Sequence, residues 1–387
     1  MKTSEFRTRS IFKHRNNGCL ENFWPIGLDI GYGGCKVFGP NIVACFPSYA
    51  KKIETNSVQL GQASEDDILY RDNATGELWV VGRAAQNMLT TDDTNDNAAS
   101  LFARNRYNSP MYKILARVGI ALTLQQNEGD VNSVKGKAIV VQTGLPSDYY
   151  DTDKFEVVEN LAGLHDFSLK IGSGKYINYC FELPEKNIRV MPQPFGTLTS
   201  IVTDKNGKQT ANSAEIFNQN TVIVDPGFNT LDTFGIKNRI VDTHFSWDKL
   251  GMKRILQETS DEIYRVHKER IPIAVMQKYL ETGNITKFNR KEMRSEEVDF
   301  TNILEEMSKK VFKEAMEAVG SAYNDFRYCN NLVITGGTGA AWSNYIRDYF
   351  KNMQTVKIIS GSLNDDLPML FANVRGYYYS LFNSLKK

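Results

Sequence analysis

Apolar residues along this chain follow two spacings, and each spacing predicts a different element. Runs of strand length occur at Ile26-Gly27-Leu28, at Lys36-Val37-Phe38 with Ile42-Val43-Ala44-Cys45-Phe46, and at Leu78-Trp79-Val80-Val81. Others follow at residues 137–146, at Val222-Ile223-Val224 and at Leu332-Val333-Ile334. The run at 137–146 is apolar nearly to its end, as in a strand covered on both faces. Spacing of three and four governs residues 107–124 and 247–267. It is clearest over 301–322, where Ile303, Leu304, Met307, Val311, Phe312, Ala315 and Val319 share one face of a helix. A last stripe, Leu367, Phe371, Val374, Tyr378 and Phe382, predicts a buried terminal helix with Asp366 as its cap. Between these segments, 51–67 reads as polar loop, 149–189 as short alternating pieces, and 287–297 as an exposed mixed-charge linker or insert. Strands of both kinds interleaved with helices predict an α/β protein with mixed sheets.

One phrase occurs twice, about 200 residues apart. Ile26-Gly27-Leu28-Asp29-Ile30-Gly31-Tyr32-Gly33-Gly34-Cys35-Lys36-Val37 is echoed by Val222-Ile223-Val224-Asp225-Pro226-Gly227-Phe228-Asn229-Thr230-Leu231-Asp232-Thr233. Each is an apolar strand that ends in Asp-x-Gly-aromatic and turns back into a second apolar stretch. The repeat predicts an internal duplication, and the turns have the chemistry of phosphate handling. Glycines after a strand let backbone N–H groups approach phosphate oxygens without a side chain in the way. An Asp at the strand end cannot bind phosphate directly, but it can hold the hydrated magnesium that accompanies a nucleotide. A third turn, Ile334-Thr335-Gly336-Gly337-Thr338-Gly339, closes the last predicted strand in a similar way.

Composition narrows the setting. The chain has 387 residues, more than one core usually holds, which predicts two domains. Its 46 basic residues nearly balance 45 acidic ones, so it lacks the basic face with which a protein grips a long duplex by itself. Residues 1–23 form the clearly basic stretch, through Lys2, Arg7, Arg9, Lys13 and Arg15, and read as a solvated, disordered tail. No run approaches the ~20 apolar residues of a membrane span, and this stretch has no apolar signal core. Five cysteines without a C-x-x-C pair point to a reducing cytoplasm. Cys35 reads as a buried small residue. His14, His165, His244 and His267 are scattered without metal spacing. Gly172-Ser173-Gly174-Lys175 is an ordinary hairpin turn, because Tyr176 stands where a phosphate loop needs Ser or Thr.

The order Asp29-x-Gly31-x-Gly33-x-x-Lys36, Asp225-x-Gly227-x-x-Thr230 and Gly336-Gly337-Thr338 resembles the two phosphate motifs and the adenosine motif of the actin, sugar kinase and heat-shock chaperone ATPase superfamily. Within it, Leu145-Pro146-Ser147-Asp148-Tyr149-Tyr150 and Phe371-Ala372-Asn373-Val374-Arg375-Gly376 resemble the ParM-type actin-like plasmid-segregation ATPases of bacteria and archaea. The resemblance covers about residues 24–384. It implies a two-lobed actin-like fold: duplicated ribonuclease-H-like mixed sheets, flanking helices and an interlobe nucleotide cleft. Lobe I would span 24–192 with an insert at about 45–110, and lobe II 193–365 with an insert at about 255–300. Residues 366–387 would form a helix packing back on lobe I, outside the tail at 1–23.

The same resemblance implies roles for individual residues. Asp29 and Asp225 would hold Mg2+ through water, and Gln193, after Val190-Met191-Pro192, would orient the attacking water as the third catalytic residue. Gly31, Tyr32, Gly33, Gly34 and Lys36 of the first loop and Gly227, Phe228, Asn229 and Thr230 of the second would cradle the phosphates of ATP, or of GTP. Gly336, Gly337 and Thr338 would meet the adenosine, with Gly251 in the turn beside the ribose. The implied activity is nucleotide hydrolysis coupled to head-to-tail filament assembly. The implied partners are further copies of the chain and a DNA-binding adaptor that holds plasmid DNA, in the cytoplasm and away from membranes. Tyr32 and Phe228 depart from the Ser or Thr of many members, and Pro226 removes an amide donor from the second loop. These departures shift the burden to backbone N–H groups. Two alternatives remain open on the residues: a small-molecule kinase of the same superfamily, and a nucleotide-binding scaffold without turnover.

Overall fold

The first repeat phrase folds into the middle of a six-stranded sheet. The computed structural model describes residues 2–54, 64–89, 106–289 and 291–386. In it β1 (Ile11–His14), β2 (Phe23–Ile30), β3 (Gly34–Phe38), β4 (Ile42–Pro47), β8 (Ala138–Leu145) and β11 (Ile188–Pro192) lie in the order β1-β4-β3-β2-β8-β11. β2, β3 and β4 pair antiparallel, whereas β2, β8 and β11 pair parallel. β2 is buried from Trp24 to Ile30 because it is covered on both faces. The helix Pro110–Leu124 packs on it from one side and the helix Ala372–Leu385 from the other. Ser109 starts the first of these helices by accepting the Tyr112 N–H, with Pro110 at its first position. At Gly27 a Cβ would overlap the Val374 carbonyl, so glycine sets the close approach of the terminal helix.

The second phrase rebuilds the same plan. β12 (Thr221–Pro226), β13 (Thr230–Lys237), β14 (Ile240–Asp248), β17 (Asn331–Ile334) and β18 (Lys357–Ser360) lie in the order β14-β13-β12-β17-β18, with an antiparallel meander on one side of β12 and parallel strands on the other. Register makes the duplication concrete. Asp29 faces Lys36 across β2 and β3, and Asp225 faces Asp232 across β12 and β13. The turns match as well: the Gly31 N–H donates to Gly34 O at 3.1 Å, and the Gly227 N–H to Thr230 O at 2.8 Å.

Smaller units decorate each sheet. β5 (Ala50–Ile53), β6 (Ile68–Asp72) and β7 (Leu78–Val81) form a sheet with β9 (Gly163–Ile171) and β10 (Ile177–Leu183), in the order β10-β9-β6-β7-β5. β15 (Asn284–Asn289) and β16 (Arg294–Asp299) form a hairpin that follows the helix Ile273–Tyr279 in the chain. The segment read as an exposed linker at 287–297 is therefore an exposed hairpin. Residues 51–53 of the expected loop are strand, and residues 55–63 lie outside the described residues.

Other differences have plain causes. The helix Ser147–Leu161 escapes its sequence pattern because it buries little beyond Asp153, Val157 and Leu161. Trp247 and Asp248 end β14 instead of opening a helix, which begins at Met252. Asp366 caps nothing; the terminal helix is entered through a tight turn at Met369–Phe371. Residues 2–17 are not a solvated tail. Phe6 is fully buried, Thr3–Phe6 forms a helical turn, and β1 pairs with β4 from Ile11–Cys45 to His14–Ile42. The basic residues hid this because the apolar anchors, Phe6, Ile11 and Phe12, are few and irregularly spaced.

All five cysteines are free, and Cys35 is buried with its thiol pushed well above the usual range by that burial. His165 is a core residue, pushed down to about 4 by burial; Arg117 Nε donates to its Nδ1 at 3.2 Å, and its Nε2 lies 3.0 Å from the Leu161 carbonyl. Gly172–Lys175 turns between β9 and β10. Among the described residues no helix is long and apolar enough to cross a membrane.

Candidate functional site

The carboxyl ends of the parallel strands of both sheets open on one cleft, where ligands of α/β sheets commonly bind. Asp29 lies near the end of β2, Pro146 just beyond β8 and Gln193 just beyond β11; Asp225 lies one residue before the end of β12, and Gly336 follows β17. Together with the turns between them they line a space of about 1100 Å³, its open mouth included. Of the residues expected at the site, Asp29, Gly31, Tyr32, Gly33, Gly34, Lys36, Gln193, Asp225, Gly227, Phe228, Asn229, Thr230, Gly336, Gly337 and Thr338 line this cleft. Gly251 stands behind it. A Cβ there would come within 2.8 Å of the Phe228 carbonyl, and the helix it opens receives the second loop: Met252 N donates to Gly227 O at 3.1 Å and Lys253 N to Phe228 O at 2.7 Å.

The two loops meet. A Cβ on Gly33 would lie 2.7 Å from the Phe228 ring, so the first loop's glycine admits the second loop's aromatic. The Gly31 and Gly227 amides are spent inside their turns, which leaves ligand contacts to other donors of the loops. The Thr338 hydroxyl donates to Gly227 O at 2.7 Å and ties the third turn to the second loop. Gly336 has φ +76°, and a Cβ there would overlap Asp225 Oδ1. Only glycine fits that corner.

Charge is concentrated at the base. Lys36 Nζ donates to Asp29 Oδ2 at 2.7 Å; burial opposes the lysine's charge most strongly, but Asp29, Cys45 and Asp225 together outweigh it and the pKa rises above its ordinary value. Asp225 is pushed up to about 6 by burial, although the Asn373 amide, 2.6 Å from its Oδ2, and the Lys36 charge both favour the anion. Asp232 is pushed up to about 7 by burial; Ser246 at 2.5 Å and Thr230 at 2.7 Å donate to its two oxygens, and the nearby Asp225 charge adds to the rise. Two buried carboxylates short of positive charge suit a hydrated divalent cation, which favours their ionised forms and prefers oxygen ligands.

Several residues here carry no motif. Asn373, from the terminal helix, receives the Thr197 hydroxyl at 2.6 Å and passes its own N–H to Asp225. Arg106 is 6% exposed; its Nη2 donates to Ile30 O at 2.9 Å, and its guanidinium lies 3.8 Å from the Tyr32 ring centre. Glu5, Phe6, Arg7, Thr8 and Arg9 form part of the wall. Asp232 had a signal, its place opposite Lys36 in the repeat. Asn373 lay in a quoted phrase without a role, and nothing local marks Arg106 or residues 5–9.

Residues 27–196 match the family model of the actin-like proteins' N-terminal domain. Solved structures of ParM proteins superpose on nearly the whole chain. The chain has an actin-like fold of the ParM type. A non-polymerisable quadruple mutant of pCBH ParM is 19% identical with a TM-score of 0.71, covering 95% of this chain and 100% of its own. The ParM of a 15-stranded filament from Clostridium botulinum is 18% identical with a TM-score of 0.70, covering 94% and 100%. The archaeal actin homologue Ta0583 in complex with ADP is 17% identical with a TM-score of 0.58, covering 93% and 100%. No curated protein sequence matches the chain. The likeness to ParM structures is one of actin-like fold, and the mixed, duplicated sheets expected from the sequence are the ones observed.

Proposed function

We propose that this actin-like protein binds and hydrolyses a magnesium-bound nucleotide, ATP or alternatively GTP, and assembles with nucleotide into filaments. The observation that carries this reading is the pair of duplicated loops, one from each sheet, closing on one cleft with Lys36 on one side and Asp225 on the other. Residues 24–192 and 193–365 would be the two jaws. The backbone of both loops and Lys36 would hold phosphate oxygens. Asp29 and Asp225 would hold Mg2+ through water, and the cation would shield the phosphate charge. Gln193, whose amide cannot act as a strong base, would orient the attacking water; phosphoryl transfer depends mainly on such positioning and on electrostatics. Nucleotide state would bias the angle between the jaws and so the subunit contacts. By likeness to ParM, the filament would move plasmid DNA in the cytoplasm through a DNA-binding adaptor, consistent with the near-neutral net charge of +1.

Phosphate release from ATP and from GTP without an added acceptor, with light scattering and pelleting over a broad protein range, tests both halves. Release without assembly removes the filament claim, and assembly without release favours a scaffold. One observation favours a kinase instead: Asp232, with its pKa near 7 in the cleft, has the basicity to accept a hydroxyl proton. Both its oxygens already accept hydrogen bonds, which favours hydrolysis. Phosphate release that requires an added alcohol acceptor would reverse that preference.

A further inference from the structure

The N-terminal segment crosses the mouth of the cleft and is pinned on both sides. On lobe II, the Thr3 hydroxyl donates to Leu280 O at 2.8 Å, the Thr8 N–H donates to Gln277 Oε1 at 2.9 Å, and Arg7 Nη1 pairs with Glu281 at 2.9 Å. On lobe I, Gln86 Nε2 donates to the Thr8 hydroxyl at 3.1 Å, and β1 then joins the main sheet through β4. Phe6 is 1% exposed, and the turn that carries it packs on Gly337–Ala341, the helix of the third loop. Residues 5–9 face the same space as Asp29, Lys36 and Asp225. They form one wall of the cleft and leave an open space beside Asp29, Lys36 and Asp225. Arg7 Nε and Nη2 are shut from solvent and have no acceptor among the described residues, so the wall holds donors still to be used.

We propose that residues 3–9 are a clasp that completes the nucleotide site: they wall the bound nucleotide, join the two jaws across it, and set its rate of release. This rests on the nucleotide-cleft reading above. A plug would have to occupy the space itself. A clasp leaves the space and ties its edges, and that is the observed geometry. Because the clasp contacts both jaws, whatever closes them on nucleotide also tightens the clasp, and by linkage the clasp tightens nucleotide binding.

The test uses the full chain with Mg2+ and a fluorescent ATP analogue, at protein concentrations below assembly. Binding is measured by titration and release by chase with excess ATP. Thr3→Val with Arg7→Ala cuts two of the three lobe II pins and leaves the Thr8 N–H bond to Gln277, Phe6 and β1 in place; deletion of residues 1–9 is the second variant. Release at least 10-fold faster in the double variant, with affinity falling in proportion, is the expected result. In wild type, hydrogen exchange of residues 3–9 should slow at least 10-fold when nucleotide is added. Release and affinity within twofold of wild type, or affinity that rises, overturns the clasp. Should the variants fail to fold, exchange at 3–9 in wild type that ignores nucleotide overturns it. Asp225→Ala separates the two readings: if wild type binds and Asp225→Ala does not while the clasp variants match wild type, the clasp alone is wrong. If wild type binds no nucleotide, both readings are wrong.

Discussion

Asp232→Asn should make the ligand-free protein more stable at neutral pH, although it removes a carboxylate with two good hydrogen bonds. Asp232 is 3% exposed, and burial pushes it from 3.8 to about 7. Between those values the folded state holds a proton that the unfolded chain has already released. Stability is therefore lost as pH rises through that window, and the full cost stands above about pH 7. Roughly three pH units at ~1.4 kcal/mol each give a cost of about 4 kcal/mol at pH 8, shared in part with the neighbouring Asp225. At pH 4.5 only about 1 kcal/mol of it remains. An amide keeps the shape, and the Thr230 and Ser246 hydroxyls can turn to match it.

Urea denaturation of wild type and Asp232→Asn, without nucleotide or Mg2+, reads the difference directly. The variant's advantage should grow by about 3 kcal/mol between pH 4.5 and pH 8. Mg2+ with nucleotide should then stabilise wild type more than the variant, because only wild type regains charge compensation at this position. Equal pH dependence in the two proteins would refute the reasoning: Asp232 would then be ionised at no cost, and the case for a cation beside it would fall.

Three further outcomes follow from the same geometry. Gly336→Ala forces a side chain to φ +76° and onto Asp225 Oδ1; it should cost about 2 kcal/mol or more and weaken nucleotide binding over 10-fold, both readable by titration and thermal melts. Arg106→Ala removes the hydrogen bond to Ile30 O and the cover over Tyr32, so about 2–4 kcal/mol should be lost and amide exchange should quicken in residues 31–34; Arg106→Lys should rescue little, lacking the planar fork. Asn373→Leu removes the hydrogen bond that favours ionised Asp225, so its pKa should climb above about 6. The affinity for Mg2+ and nucleotide should then fall at pH 7 and recover by pH 9, a shift that a profile centred as in wild type would exclude.

The parts of this cleft that could be read along the chain are those whose chemistry is local. Asp29, Lys36 and Asp225 stand at fixed offsets from strand ends and glycines, so the repeat places them without knowledge of the fold. The helix Thr301–Ala322 was legible for the same reason, since its apolar face recurs in register with its own turns. The helix Ser147–Leu161 was not, because too few of its residues face the core to leave a period. Asn373 meets Asp225 from 148 positions away, and only the packing of the terminal helix brings it there.

Residues 2–17 show how composition can mislead about order. Their basic character described their solubility, whereas one buried Phe, a short edge strand and three contacts to Gln277, Leu280 and Glu281 decide where they lie. The consequence is electrostatic as well as structural. The motifs alone supply one lysine, already paired with Asp29, against two further buried carboxylates, a poor cradle for an anionic ligand. Arg7, Arg9 and Arg106, all from segments without a motif, return the balance of the cleft walls toward positive charge. On the nucleotide-cleft reading, a nucleotide with its cation would therefore be held more tightly with the terminal segment in place than by the motif residues alone.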